Sequence, residues 1–149
     1  MKIRLLQSRD RQTWAQMRAA LWPEEDADQL AHETLLHFSG KPAAEAVFVC
    51  EDKHGALCGF LELSLRSHAE GCASSPTPFI EAWYVHAGAR MKGAGRALVQ
   101  AAEHWALLRN FSEIASDTDA ANAAGQAAHA ALGYGEVVRL VAFRKPLRQ

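Results

Sequence analysis

Arg90, Lys92 and Arg96 surround two glycines in the stretch Arg90-x-x-Gly93-x-Gly95-Arg96, and these residue types at this spacing suit a polyanion. Glycines one residue apart let the backbone approach a ligand closely. N–H groups at the start of a following helix add a positive concavity that fits a pyrophosphate, and the cationic side chains reinforce it. The stretch lacks the Gly-Lys-Ser/Thr ending of a P-loop and the third glycine of a dinucleotide fingerprint. Taken alone, it describes equally well a glycine-bearing turn with solvated basic residues.

The flanking residues favour the first reading. Phe79 to Val85 is apolar, aromatic and β-branched, as a buried strand is, while Ala97, Leu98, Ala101, Ala102 and Trp105 recur at helical spacing. A strand therefore runs into a helix, ending near Arg109, through the glycine turn. Ahead of it the pattern predicts an edge strand over Ile3 to Leu6, then a helix with Asp10 as N-cap carrying Trp14, Met17, Arg18 and Leu21 up to Pro23. A second helix is expected over Ala27 to Phe38, and strands Ala46 to Cys50 and Leu57 to Leu65 make a hairpin around His54-Gly55. Arg66 to Pro78 is the longest loop. Downstream come a strand over Ser112 to Ser116, a helix capped by Asp117-Thr118-Asp119 that stops before Gly133, and a final strand over Val137 to Phe143. The order is βααβββαβαβ, which predicts an α/β (α+β) fold with a mixed central sheet and helices on both faces.

With 149 residues, 49% hydrophobic and 22% charged, the chain is expected to form a single domain over 1–149. Its net charge of −1 argues against nucleic acid as a partner. The N-terminus lacks the apolar core of a signal peptide and no run approaches a membrane span, so a soluble, cytoplasmic protein is expected. Cys50, Cys58 and Cys72 are odd in number and lack Cys-x-x-Cys spacing, which predicts reduced thiols rather than a disulfide framework or a metal site. Glu24, Glu25, Asp26 and Asp28 either face the dipole of the second helix or form a rim that attracts a polycation.

Arg-x-x-Gly-x-Gly after a strand and opening a helix resembles the acyl-coenzyme A signature of the GNAT N-acetyltransferases, whose element order the chain also shares. The resemblance implies that amides and side chains of Arg90, Met91, Lys92, Gly93, Ala94, Gly95 and Arg96 hold the coenzyme pyrophosphate. It also implies that the backbone of Trp83, Tyr84 and Val85, on a strand splayed by a bulge, pairs with the pantetheine arm. Asn122 matches an asparagine that contacts the coenzyme, and His129 falls where a tyrosine can protonate the departing thiolate.

A denser set of segments resembles the aminoglycoside 6'-N-acetyltransferases within that superfamily: Leu21-Trp22-Pro23, Glu70-Gly71-Cys72-x-Ser74-Ser75-Pro76, Phe79-Ile80-Glu81, Glu113-x-Ala115-Ser116-Asp117-Thr118 and His129-x-Ala-Leu-Gly. By this resemblance Trp22, Glu25, His68, Glu81 and Asp117 line a site for a polycationic aminoglycoside, and acetyl-CoA is the co-substrate. The chemistry fits, since ammonium groups want carboxylates and one amine must shed a proton before attacking a thioester. Asp117 is the candidate to orient or deprotonate that amine, Glu81 the second carboxylate, and His129 or water the acid for the thiolate. Asp117 as a plain helix cap is the structural alternative.

The chain departs from the family pattern at Val138, where a second acidic contact is implied, and at His68, where an aromatic one is. Direct transfer in a ternary complex, without a metal, is the expected mechanism, and antibiotic resistance the expected consequence. A GNAT enzyme acting on a polyamine, a lysine or a protein N-terminus, and a non-catalytic acyl-CoA sensor, are the rivals. A homodimer paired through Val137 to Phe143 is expected from the same resemblance.

Overall fold

The computed structural model describes residues 1–148, which divide into two compact units, 1–116 and 117–148. The first holds β1 (Lys2–Leu5), α1 (Arg11–Leu21), α2 (Ala27–His37), β2 (Ala46–Glu51), β3 (Leu57–Arg66), β4 (Thr77–Val85), α3 (Ala94–Leu108) and β5 (Ala115–Ser116). The second holds α4 (Ala123–Ala131).

The five strands lie side by side in the order of the chain. Antiparallel pairing joins β1 to β2, β2 to β3 and β3 to β4, whereas β4 and β5 run parallel. Period-two alternation then sorts the side chains of the central strands onto two faces. Val47, Val49, Phe60 and Ala82 pack with Trp14 and Met17 of α1. On the other face α3 contributes the buried Leu98, Val99 and Ala102, and Leu98 comes up against Gly59 of β3. The mixed sheet with helices on both faces is as the sequence predicts.

Two irregularities in the ladder matter for the site. Between β3 and β4 the register runs Glu62↔Ala82 and then Leu63↔Ile80, so Glu81 is an extra residue without a partner on β3. It is the bulge implied by the family resemblance, and it breaks the alternation of β4 at one carboxylate. On its other side β4 pairs with β5 only through Phe79↔Ala115 and Ile80↔Ser116. The regular β4–β5 ladder spans these two pairs.

A buried polar cluster ties α1 to the sheet and to α2. Arg18 donates from Nε to Glu62 Oε1 at 2.7 Å and from Nη1 to Glu33 Oε2 at 2.7 Å. Trp14 Nε1 donates to the same Glu62 oxygen at 3.0 Å, and Arg18 Nη1 reaches the Leu30 carbonyl at 3.1 Å. Burial works against the Arg18 charge, but Glu62 and Glu33 outweigh it and hold the guanidinium above its usual range.

The second unit differs from expectation. Neither Asp117 nor Asp119 caps its helix: Asn122 is the N-cap, its Oδ1 accepting from the Gly125 amide at 2.9 Å and its Nδ2 donating to Thr118 Oγ1 at 3.1 Å. Asp119 closes the preceding turn by accepting from the Ala121 amide at 2.7 Å, which pushes the helix start beyond it. The expected final strand is not formed, and residues 134–146 carry no regular structure. Val137, Leu140, Val141 and Phe143 are exposed. Apolar, β-branched composition favours a strand only where a neighbouring edge supplies its hydrogen bonds. The unit's own elements, one short helix, supply none. β5 is likewise shorter than Ser112 to Ser116, beginning only at Ala115.

Candidate active site

The glycine turn has a defined shape. After β4, a single 3₁₀ turn at Ala87–Ala89 leads to Arg90, whose Nε donates to the Val85 carbonyl at 2.8 Å and folds the turn back against the strand end. Lys92 Nζ reaches the Gly88 carbonyl at 2.9 Å. Met91 and Gly93 both have positive φ, 61° and 92°, and Gly93 is the left-handed N-cap of α3. Glycine takes that conformation without steric cost. No side chain among the described residues caps α3, and first-turn amides such as those of Ala94 and Gly95 have no intrahelical acceptor, which suits them as donors for an anion.

Trp83 and Gly95 lock strand to helix. The Trp83 indole Nε1 donates to the Gly95 carbonyl at 3.2 Å, and a Cβ on residue 95 would meet the ring at 3.3 Å. Tyr84 turns the other way, packing against the α1 cluster and Phe60, with its hydroxyl 3.1 Å from His86 Nδ1. Trp83, Tyr84 and Val85 therefore occupy the stretch of β4 beyond its pairing with β5, next to the donors at the head of α3. A strand that leads into a helix N-terminus can guide an extended amide chain that ends in a pyrophosphate.

The acceptor candidates of the first unit fall into three places. Glu81, at the bulge, accepts from Arg66 Nε at 2.8 Å and Nη2 at 2.6 Å, and from Ser64 Oγ. Burial pulls its carboxyl upward, but the bonds from Arg66 and Ser64 more than offset that and leave it below the usual carboxylate range. Trp22 ends α1 and lies half-buried against the core, with the Arg18 guanidinium 5.2 Å above its ring. Glu25 is exposed in the following turn, its amide bonded to the Trp22 carbonyl at 3.0 Å. Of the acidic run, Asp26 is the N-cap of α2 and accepts from the Asp28 amide at 2.9 Å. His68 is exposed beside Glu70, at 3.6 Å.

In the second unit Asp117 directly follows the last residue of β5, is exposed, and engages in no hydrogen bond or ion pair among the described residues. Its carboxylate is not consumed by capping. Asn122 has both ends of its amide engaged by Gly125 and Thr118, so its structural role is plain. His129 Nδ1 lies 2.7 Å from the Gly125 carbonyl. A carbonyl only accepts, so Nδ1 carries a proton, and in the neutral ring Nε2 presents a lone pair. Donation to a thiolate from Nε2 then requires the imidazolium.

The sequence reading missed Arg66, Ser64, Arg18 and Glu62 as site-shaping residues. It also missed how Glu113 fixes the loop. The Glu113 carboxylate accepts from the Ser74 amide at 2.8 Å, the Ala73 amide at 3.1 Å and Ser74 Oγ at 2.5 Å. That one side chain holds the segment that joins β3 to β4.

The model of the acetyltransferase (GNAT) family matches residues 11–134. An aminoglycoside N(6')-acetyltransferase type 1 of Klebsiella aerogenes is 44% identical over 97% of the chain and 96% of its own length. One from Stenotrophomonas maltophilia is 40% identical over 97% of the chain and 93% of its own length. Among solved structures, AAC(6')-Iy in complex with the bisubstrate analog CoA-S-monomethyl-acetylneamine superposes with a TM-score of 0.85 at 30% identity, covering 97% of both chains.

Proposed function

Since the chain belongs to the acetyltransferase (GNAT) family, we propose that it transfers the acetyl group of acetyl-CoA to the 6'-amino group of aminoglycosides and thereby confers resistance to them. The observation that carries this reading is a likeness to aminoglycoside N(6')-acetyltransferases that spans 97% of the chain. The glycine turn that leads from β4 into the head of α3, which no side chain among the described residues caps, agrees with it.

The coenzyme lies, in this reading, along Trp83 to Val85 with its pyrophosphate at the amides of Ala94 and Gly95, and Arg90, Lys92 and Arg96 supply positive charge. Asn122 adds a coenzyme contact in addition to capping α4. Trp22, Glu25, His68, Glu81 and Asp117 receive the polycationic acceptor. Asp117 takes a proton from the reacting ammonium, directly or through a water. Glu81 is a poor base, because its carboxyl sits below the usual range, and it serves as an anionic anchor. The freed amine attacks the acetyl carbonyl, a β4 backbone N–H polarises the thioester oxygen, the nitrogen gives up its second proton to water, and the C–S bond breaks as the amide forms. The coenzyme thiolate takes a proton from the His129 imidazolium or from water.

The same reading makes residues 1–149 one catalytic domain acting in the cytoplasm, and the family match from 11 to 134 supports it. No helix among the described residues is long and apolar enough to cross a membrane. It also makes the protein a homodimer, the exposed apolar residues Val137 to Phe143 gaining from a second copy the strand partner they lack in their own unit. Sedimentation at micromolar concentration giving a monomer would remove that part.

The test is thiol release from acetyl-CoA with kanamycin, tobramycin, spermidine and a lysine peptide, each run beside Asp117→Ala. Rapid release with the aminoglycosides, none with an analogue lacking the 6'-amine, and a loss of about 100-fold or more in the variant support the reading. Release with spermidine or the peptide alone would transfer it to another amine, and coenzyme binding without turnover would make the chain a sensor.

A further inference from the structure

Glu81 has a cation on it before any acceptor arrives. Arg66, the last residue of β3, grips the carboxylate through Nε and Nη2 at 2.8 and 2.6 Å, while its guanidinium rests 3.5 Å from the centre of the Phe79 ring. Ser64 lies two residues back on the same face of β3 and donates to the same carboxylate. Ser64 pairs with Phe79 and Arg66 with Thr77, and the period of two along Thr77, Phe79 and Glu81 sets the carboxylate on the face of both side chains.

This pair differs from the buried Arg18–Glu62 pair. Arg18 and Glu62 are 5% and 4% exposed and fixed, whereas Arg66 and Glu81 are 42% and 30% exposed. Water can reach both partners, and so can a ligand. A guanidinium and an ammonium compete for the same carboxylate oxygens, and a forked, bidentate contact is the stronger one-to-one rival. A lone amine is therefore a poor competitor for Glu81. A polycation that is held by its other charges at the same time brings a high effective concentration of ammonium and displaces the fork.

We propose that Arg66 is a resident counter-cation of the acceptor site, which an acceptor ammonium must displace from Glu81, so that Arg66 selects polycationic acceptors over monoamines. The proposal rests on Glu81 lining the acceptor site, as read above. Once displaced, the guanidinium keeps the Phe79 face as a resting place. The positive side chain then stays near the bound polycation, and acceptor affinity is lower than the carboxylates alone would give.

The test uses the full chain with Arg66→Gln, Arg66→Lys and Glu81→Gln, each checked for an unchanged melting curve and acetyl-CoA KM. Acceptors are a tetra-amine aminoglycoside and 6-amino-6-deoxyglucose, a monoamine with the same reacting group. Arg66→Gln is expected to lower the aminoglycoside KM about three- to ten-fold with kcat little changed, and to lower the monoamine KM by a larger factor. Arg66→Lys, with the charge but no fork, should fall between. Glu81→Gln should raise the aminoglycoside KM. An aminoglycoside KM that rises or stays constant in Arg66→Gln, while Glu81→Gln raises it, overturns the counter-cation alone. No effect of Glu81→Gln overturns both the counter-cation and the placement of Glu81 at the acceptor.

Discussion

The Arg18 guanidinium and the Glu62 carboxylate meet at 2.7 Å with their side chains 5% and 4% exposed, between the Trp14 and Trp22 rings that Arg18 also faces at 5.3 and 5.2 Å. One cation thus joins the core of α1 to the aromatic residue at its end. Arg18→Met leaves Glu62 buried without its counter-charge and is expected to cost about 3–5 kcal/mol. Arg18→Met combined with Glu62→Leu should cost clearly less than the sum of the single changes. Denaturant melts of the four proteins give the coupling directly, and additive costs would contradict it.

Gly95→Ala places a methyl 3.3 Å from the Trp83 ring. The indole must give way or its bond to the Gly95 carbonyl must lengthen, and the head of α3 shifts with it. The expected result is a KM for acetyl-CoA raised about ten-fold with the acceptor KM nearly constant. Indole fluorescence should change along with it. An unchanged coenzyme KM would detach Trp83 from coenzyme binding.

Asn122→Ala removes the N-cap of α4 and should cost about 1 kcal/mol of local stability, seen as faster amide exchange at Gly125 and Gln126. If Asn122 also touches the coenzyme, acetyl-CoA restores less protection to this variant than to Asn122→Asp, which can still cap. Equal restoration would leave Asn122 as a cap only.

The loop between β3 and β4 should loosen in acid. Glu113 is held below its ordinary value of 4.5 by the Ser74 hydroxyl first, then by the Ser74 and Ala73 amides. Its folded value lies below the unfolded one, so its contribution is complete above 4.5 and drains as pH falls through the lower folded value. Protection factors of the Ala73 and Ser74 amides should drop over that range. In Glu113→Ala they should be low at every pH, and protection independent of pH in the unaltered chain would count against this anchor.

How much of this was legible in the sequence follows from how local each feature is. The strand, turn and helix around Gly93 and Gly95 depend on a change of period and two glycines, and they stand where the sequence puts them. Trp83 and Glu81 were correctly placed on that strand. The contact of Glu81 with Ser64 and Arg66 was not derivable from spacing, because it is a property of the pairing between β3 and β4. Arg18 carried a signal of its own: an arginine on an apolar helical stripe needs a buried carboxylate, although nothing local names Glu62. The cap of α4 went to Asn122 because Asp119 is spent on the turn before it. Val137 to Phe143 has the composition of a strand and lacks an edge within its own unit.

The extra residue at Glu81 also divides β4 into two stretches that can drift apart over generations. Toward Thr77 the ladder pairs β4 with Leu63 to Arg66, and toward Val85 it pairs with Gly59 to Glu62, one residue out of phase. Replacements that retune contacts on the Thr77 side, beside Arg66 and Phe79, leave the facing of Ala82 to Val85 untouched. A lineage of such chains is therefore free to try new acceptors on one half of a strand while its grip on the coenzyme is inherited unchanged on the other.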